Sequence, residues 1–174
     1  MPSTPIPGKN APDLDLRLII GTDWSLKAQS PDAFSMIVFF RGLHCPICKS
    51  YLKEIAAQLP TLTEKGVAAV TVSMESEDRA KEAHSDWDLG DLPMAWGLTE
   101  EQAHDWGLYL SEKIKDGEPD LFCEPALFLV KPDGTLYLAN ISNMPFARPP
   151  IGDLVDKIDF VIEKDYPARG THAA

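Results

Sequence analysis

Apolar and polar residues alternate along this chain with two different periods. Residues 13–20 place an apolar side chain at about every second position and end at Gly21, which predicts a half-buried strand. Residues 24–26 are predicted to begin its hairpin partner. Residues 35–40 and 67–73 are almost continuously apolar, which predicts strands buried on both faces. These strands therefore predict a sheet that is covered on both sides.

Between these strands, apolar positions recur every three to four residues and predict helices. The longest stripe predicts a helix over residues 46–65, ended by Gly66. Shorter stripes that follow good N-cap residues predict helices over residues 76–87 and 99–106. A last helix is predicted at about residues 154–164.

The second half of the chain predicts a hairpin. Residues 126–130 form a strand pattern, and a Lys-Pro-Asp-Gly turn joins it to a second strand over residues 135–141. Residues 88–98 predict a loop or a short strand, and residues 111–124 predict a charged loop. The whole order predicts an α/β fold with a central mixed sheet of four to five strands and helices on both faces.

Composition agrees with one ordinary domain over residues 1–174, in which 44% of the residues are apolar. The proline-rich residues 1–12 predict an extended N-terminal segment, and residues 166–174 a C-terminal tail. The net charge of −11 argues against nucleic-acid and anionic-membrane partners, because both bind basic surfaces. The first residues lack the basic and apolar segments of an export signal, and no apolar run is long enough to span a bilayer. We therefore expect a cytoplasmic protein.

Candidate chemistry is concentrated in two of the three cysteines. Cys45 and Cys48 form a C-x-x-C motif where a buried strand meets the long helix, and Pro46 suits the first helical position because no N–H is needed there. The free N–H groups and the dipole of the first turn favour a thiolate at Cys45. Cys48, one turn later on the same face, is placed to close an internal disulfide after Cys45 attacks a substrate.

The residues around the motif leave alternatives open. Arg41 and Lys49 either lower the pKa of Cys45 further or are solvated surface charges, and His44 is either a proton shuttle or a surface group. A zinc site is the alternative for the cysteine pair, but zinc takes about four ligands and the sequence has no second C-x-x-C or paired-histidine motif. We expect neither a metal nor an organic cofactor.

The run Phe40–Lys49, F-R-G-L-H-C-P-I-C-K, resembles the F-x-R-G-x-x-C-P-x-C run of peroxiredoxin-like proteins in the AhpC/TSA (redoxin) branch of the thioredoxin superfamily. Residues 144–150 and 166–170 resemble one subgroup of that branch, so the resemblance spans about residues 10–170. It implies a thioredoxin-like fold and a thiol oxidoreductase with Cys45 as nucleophile and Cys48 as resolving thiol. A thioredoxin or glutathione system is the implied electron donor, and the resemblance is compatible with an oligomer.

The resemblance also assigns a role to Pro125. Thioredoxin-fold proteins carry a cis-proline opposite the dithiol, and a cis Pro125 would bring the backbone of Glu124 beside the Cys45 sulfur, where an extended substrate binds. The alternative is an ordinary trans proline at the first residue of a strand. Cys123 is then either a second resolving thiol or a small buried apolar residue.

The motif departs from typical peroxiredoxins where they bind the peroxide. Those proteins place a Thr three residues before the nucleophile and an Arg at the start of the strand that Pro125 opens here. In this chain Gly42 replaces the Thr, Val38 replaces their motif proline, and only Arg41 or Arg148 is a candidate substitute for the Arg. We therefore expect disulfide reduction. Hydroperoxide reduction and a non-catalytic redox-sensing or binding module are the alternatives.

Overall fold

The computed structural model describes residues 4–172, and nine strands and four α-helices lie within that range. The strands are β1 (Asp15–Leu18), β2 (Asp23–Ser25), β3 (Phe34–Phe39), β4 (Val67–Val72), β5 (Met94–Trp96), β6 (Leu110–Glu112), β7 (Leu121–Cys123), β8 (Ala126–Val130) and β9 (Leu136–Ile141). The helices are α1 (Pro46–Glu64), α2 (Glu77–Asp86), α3 (Glu100–Asp105) and α4 (Ile151–Glu163).

The main sheet is mixed, as predicted, in the order β2-β1-β5-β4-β3-β8-β9. Strand β3 lies in its interior, parallel to β4 on one side and antiparallel to β8 on the other. The expectation of four to five strands was wrong, because the sheet has seven. The count fell short because β2 and β5 have only three residues each; β2 is the hairpin partner expected near residues 24–26, and β5 lies in the region predicted as a loop or a short strand.

Helices cover both faces of this sheet. Successive side chains of β3 point to opposite faces, so that the strand contributes to an apolar cluster on each side. Met36 and Val38 pack on the face that carries α1, α2 and α4. Ile37 and Phe39 pack on the opposite face with Trp106, at the end of α3. Every side chain of β3 is buried, which explains its continuous apolar sequence.

The helix boundaries follow local sequence signals. Helix α1 begins at Pro46 and ends one residue before the predicted limit, with Gly66 at a φ of 79° immediately beyond its C-cap. Thr99 and Gln102 form the reciprocal hydrogen bonds of a capping box at the start of α3. The Ser76 side chain accepts a hydrogen bond from the Arg79 N–H at the start of α2.

The predicted loop over residues 111–124 was wrong at both ends, because only residues 113–120 form the connection. Strands β6 and β7 pair there as a separate antiparallel hairpin, in which Leu110 lies opposite Cys123. Most of the charged residues that suggested a loop are exposed around its connection, residues 113–120, whereas Glu124, immediately after β7, is buried. The two short strands pair their backbone N–H and C=O groups with each other. Three residues are too few to produce a recognisable apolar period in the sequence.

Segments near both ends of the described chain pack against the edge strand β9. The Gly8 N–H donates to the Leu136 carbonyl at 2.7 Å, and the Tyr137 hydroxyl donates to the Tyr166 carbonyl at 2.9 Å. The outer ends of the predicted N-terminal segment and C-terminal tail, residues 1–3 and 173–174, lie outside the described residues. Within residues 4–172, no helix has both the length and the apolarity to cross a membrane.

Candidate active site

Cys45 is the N-cap residue of α1, and residues 40–44 connect it to the end of β3. Its backbone is extended, with φ −105° and ψ 101°, and its Sγ accepts a hydrogen bond from the Cys48 N–H at 3.2 Å. Pro46 takes the first helical position, as predicted. The sulfur therefore satisfies one of the N–H groups that a helix start leaves free.

These contacts favour the thiolate of Cys45. Its pKa falls to about 6, chiefly because the Cys48 thiol donates a hydrogen bond to its sulfur; burial opposes the shift, and the Cys48 N–H, Arg148 and Arg41 add to it. The side chain is only 3% exposed. The site therefore stabilises a negative sulfur that solvent scarcely reaches.

Cys48 has the opposite tendency. It is fully buried within α1, and burial raises the pKa of its thiol well above the ordinary value. Its hydrogen bond to the Cys45 sulfur also favours the protonated form, whereas the charge of Arg148 opposes it. The pair therefore holds one thiolate and one thiol at neutral pH, with the proton on Cys48.

Arg148 reaches this pair from the loop between β9 and α4. Its Nη2 donates to the Cys48 sulfur at 3.4 Å, and its Nε donates to the Pro145 carbonyl at 2.8 Å. The guanidinium carbon lies 4.3 Å from the centre of the Tyr51 ring, and the Tyr51 hydroxyl donates to the Pro149 carbonyl at 2.7 Å. Helix α1 and the loop thus hold one guanidinium against the resolving thiol.

Arg41 supplies a second positive charge near Cys45. Its Nη2 donates to Glu124 Oε1 at 3.0 Å, and its guanidinium lies 5.0 Å from the centre of the Phe122 ring. The Ser111 hydroxyl donates to the same carboxylate oxygen at 2.6 Å. The β6–β7 hairpin, which the sequence did not predict, therefore positions Arg41 through Glu124.

A buried carboxylate fixes the loop between β3 and Cys45. Both oxygens of Glu75 accept the Leu43 N–H at 3.0 Å, and the Arg79 Nε donates to Oε1 at 2.9 Å. Gly42 adopts a φ of 138°, and a Cβ at that position would overlap the Glu75 carboxyl group. Sequence reasoning missed Glu75, whose only signal was an acidic residue shortly after a strand parallel to β3.

His44 and Lys49 are near the dithiol in sequence, but they face other surroundings. The His44 ring lies 4.7 Å from the Phe122 ring, and burial lowers its pKa, with further influence from charges on Glu118 and Arg41. Neither ring nitrogen of His44 has a hydrogen-bond partner within residues 4–172. Lys49 is exposed on α1. The proton-shuttle role of His44 stays a prediction.

The expected cis form of Pro125 was wrong. No peptide bond in the described part of the chain is cis. Pro125 is a trans residue that immediately precedes β8, and its carbonyl accepts the Ser142 N–H at 2.9 Å. A strand start accommodates proline without isomerisation, because no ladder donor is required there. The Glu124 N–H donates instead to the Tyr109 carbonyl at 2.8 Å, so its backbone belongs to the β6–β7 hairpin.

Cys123 lies in the second apolar cluster, on the sheet face opposite the dithiol helix. Its thiol donates to the Phe40 carbonyl at 3.4 Å. Complete burial raises its pKa to about 12. This environment is that of a small apolar core residue, the alternative to a second resolving thiol.

Metal-binding side chains do not gather elsewhere in the described structure. Within residues 4–172, no three or more His, Cys, Asp or Glu side chains lie together in a cluster that would hold a metal ion. All three cysteines are free thiols. The candidate site is a dithiol at a helix start, flanked by the guanidinium groups of Arg41 and Arg148.

Comparison with known proteins identifies the family that this arrangement represents. Residues 7–139 match the AhpC/TSA family. The chain belongs to the AhpC/TSA family. This family of peroxiredoxins implies a thiol-dependent oxidoreductase, as the sequence motif suggested. No curated protein is similar enough in sequence to match the chain.

Solved structures of peroxiredoxins share the fold over almost the whole chain. Peroxidoxin BcpB from Mycobacterium tuberculosis is 14% identical with a TM-score of 0.73, covering 90% of this chain and 98% of that one. AhpC from Enterococcus faecalis is 18% identical with a TM-score of 0.74, covering 93% and 97%. A peroxiredoxin-like protein from Aquifex aeolicus is 16% identical with a TM-score of 0.73, covering 91% and 89%. These similarities confirm the predicted thioredoxin-like fold.

Proposed function

We propose that this AhpC/TSA-family member reduces disulfides through the Cys45-Pro46-Ile47-Cys48 dithiol. The observation that carries the proposal is the geometry of one helical turn: the Cys45 sulfur caps α1 and accepts the Cys48 N–H at 3.2 Å. The lowered pKa of Cys45 and the raised pKa of Cys48 agree with a thiolate beside a thiol. A thiolate attacks a disulfide, and a neighbouring thiol then resolves the adduct. Cys45 is the nucleophile in this proposal and Cys48 the resolving residue.

Gly42 supports a disulfide rather than a peroxide as the substrate. In typical peroxiredoxins a Thr at this position helps to bind and polarise the peroxide. Here a side chain is excluded, because its Cβ would overlap the Glu75 carboxyl group and the φ of 138° strains any residue except glycine. The local backbone therefore has no room for the hydroxyl that peroxide chemistry uses.

Hydroperoxide reduction is the second candidate, and the two arginines favour it. The charges of Arg148 and Arg41 both act on the Cys45 sulfur. A guanidinium can stabilise the negative charge that develops on a peroxide oxygen. The slight exposure of Cys45, at 3%, also suits a substrate as small as a peroxide.

Stopped-flow kinetics of the reduced protein distinguish the two substrates. We expect rapid oxidation by a small disulfide and, with hydrogen peroxide, a rate close to that of a free thiol. The product in both cases is the Cys45–Cys48 disulfide, identified by peptide mass spectrometry. A peroxide rate far above that of a free thiol would replace disulfide reduction with the second candidate. If Cys45→Ser leaves both rates unchanged, a non-catalytic redox-sensing or binding module becomes the better interpretation.

Turnover requires a donor that reduces the internal disulfide again. We propose a thioredoxin- or glutathione-type donor, which also implies a reducing compartment such as the cytoplasm. Coupled assays with each donor system and NADPH test this part of the proposal. Continuous NADPH consumption with one donor, and none with Cys48→Ser, is the expected result.

A further inference from the structure

The resolving step requires a group that stabilises Cys48 as a thiolate. The resolving step needs Cys48 as a thiolate, but Cys48 is fully buried and its proton is held more tightly than in an ordinary thiol. Within residues 4–172, no carboxylate or imidazole hydrogen-bonds to the Cys48 sulfur. Among the described residues, the one polar side chain besides Cys45 that hydrogen-bonds to this sulfur is Arg148, through its Nη2 at 3.4 Å; the backbone N–H of Arg41 also favours the Cys48 thiolate, but Arg148 brings the side-chain charge.

We propose that Arg148 activates Cys48 as the resolving nucleophile, with its guanidinium acting as the counter-ion of the buried Cys48 thiolate. The inference rests on the disulfide-reducing function proposed above and assigns the group that makes its second step possible. Arg148 is a catalytic residue in this sense, because it touches one of the reacting sulfurs.

The geometry holds the guanidinium ready before the step begins. Its plane packs on the Tyr51 ring at 4.3 Å, and its Nε is fixed by the Pro145 carbonyl at 2.8 Å. The Tyr51 hydroxyl anchors the same loop through the Pro149 carbonyl. A charge fixed in this way needs no reorganisation when the thiolate appears, which is how preorganised groups contribute to catalysis.

The charge balance changes when the substrate binds covalently. In the reduced protein, the Cys45 thiolate accepts the Cys48 proton in a hydrogen bond and repels a second negative sulfur. Once Cys45 forms a mixed disulfide, its negative charge is gone, and the charge of Arg148 remains beside Cys48. The same contact, between a guanidinium and a neutral thiol in the resting dithiol, therefore becomes an ion pair with a thiolate during resolution.

The Cys45 thiolate attacks one sulfur of the substrate disulfide, a Cys45–substrate S–S bond forms, and one substrate thiolate leaves. Cys48 releases its proton to solvent and attacks the Cys45 sulfur, so that the Cys45–Cys48 bond forms and the second substrate thiolate leaves. The dithiol loses two electrons, and the substrate disulfide gains them.

Ellman's reagent makes both steps visible, because each one releases a coloured thiolate. Wild-type protein mixed with the reagent at pH 8 is expected to release one equivalent in a fast second-order phase and another in a concentration-independent phase. Cys48→Ser is expected to show the first phase alone. The second phase therefore measures resolution directly.

Arg148→Gln is expected to slow the second phase by about three- to thirtyfold. Removing an opposite charge at this distance raises a thiol pKa by roughly 1–3 units, and the greater nucleophilicity of the more basic thiolate offsets about half of that loss. The first phase is expected to change less than about threefold, because Cys45 remains largely thiolate at pH 8. The pH at which the second-phase rate reaches half of its maximum is also expected to rise.

Two further variants keep the test decisive. Arg148→Lys retains the charge without the planar fork and is expected to give an intermediate second-phase rate even if the Gln variant folds poorly. Arg17→Gln, at an exposed arginine on β1 that pairs with Asp23, is the matched control and is expected to leave both phases unchanged.

The outcomes separate this inference from the proposed function. An unchanged second phase in Arg148→Gln, or an equal slowing of both phases, overturns the role of Arg148 while dithiol chemistry stands. If the wild-type protein shows no first phase, the disulfide-reducing function fails, and the role of Arg148 fails with it.

Discussion

Cys45 and Cys123 are almost equally hidden from solvent, at 3% and 0% exposed. Their pKa values nevertheless shift in opposite directions, because that of Cys45 falls to about 6 and that of Cys123 rises to about 12. Burial raises the pKa of any thiol, so burial does not separate them. The difference lies in the partners: Cys45 accepts hydrogen bonds from Cys48, whereas Cys123 donates its proton to the Phe40 carbonyl.

In this protein the hydrogen-bond donors and charges around the sulfur, and not its burial, determine whether a cysteine is reactive. Cys45 caps a helix and lies within the influence of two arginines. Cys123 belongs to a strand in the opposite apolar layer, where one carbonyl is its partner. The predictions below test whether this difference in environment also separates the two residues in function.

The largest expected effect comes from Cys45→Ser. The serine hydroxyl is not ionised near neutral pH, so the nucleophile is lost and disulfide reduction falls by at least about a hundredfold. The rate of the first phase with a small disulfide measures this loss. Cys123→Ser is the control at the other cysteine and is expected to react at the wild-type rate. Equal losses in the two variants would remove the distinction between them.

The pH dependence of alkylation is expected to separate the cysteines next. Since the pKa of Cys45 is lowered to about 6, its thiolate fraction is nearly complete at pH 8 and falls as the pH drops through 6. Iodoacetamide modification followed by peptide mass spectrometry gives the midpoint. Cys123 is expected to react only after unfolding, because it is buried and protonated. A Cys45 midpoint near 8.5, the value of a free thiol, would contradict the activation of this sulfur.

Replacement of Cys48 tests which partner activates Cys45. Cys48→Ala removes the thiol that donates to the Cys45 sulfur, so the alkylation midpoint is expected to rise toward the ordinary value. Cys48→Ser keeps a side-chain donor and is expected to lie between the wild type and the Ala variant. Both variants are expected to stop at the mixed disulfide. A midpoint unchanged in Cys48→Ala would assign the activation to the helix start and the arginines alone.

Gly42→Ala tests the loop that positions Cys45. The added Cβ overlaps the Glu75 carboxyl group at a φ of 138°, so we expect a loss of about 1–3 kcal/mol in the free energy of unfolding. Urea denaturation measures it. Gly90→Ala has a positive φ of 58° but no atom within 4 Å of the new Cβ. Gly90→Ala is therefore the control for backbone strain alone, and a loss as large as that of Gly42→Ala would exclude the contact with Glu75 as the cause.

The smallest effect is expected for Cys123→Ala. The variant loses one buried sulfur and its hydrogen bond, which we expect to lower the free energy of unfolding by about 1 kcal/mol. Disulfide reduction is expected to continue at the wild-type rate, measured in the same two-phase assay. A slower second phase in a stably folded variant would show that Cys123 takes part in resolution after all.

Much of the fold was predictable because its signals are local. The buried strands β3 and β4 carry continuous apolar runs, and α1 begins at Pro46 as predicted and ends at Glu64, just before Gly66. The β6–β7 hairpin was not predictable from periodicity, because three-residue strands define no period. This limitation mattered for the site, since Glu124 next to that hairpin holds Arg41.

The sequence by itself determined the dithiol at a helix start. The spacing of Cys45 and Cys48 puts both sulfurs on one turn, and an N-cap position supplies free N–H groups whatever the rest of the fold does. The family followed from the same local run, and the match over residues 7–139 confirms it.

Only the tertiary structure decided which distant groups reach these sulfurs. Arg148 is 100 residues away from Cys48 in sequence, and Glu75 is 32 residues from Leu43. It also decided that Pro125 is trans and that Cys123 faces the other side of the sheet. Such contacts depend on how separate strands and loops pack, because electrostatic and hydrogen-bond partners are chosen by distance in space, which a local pattern does not encode.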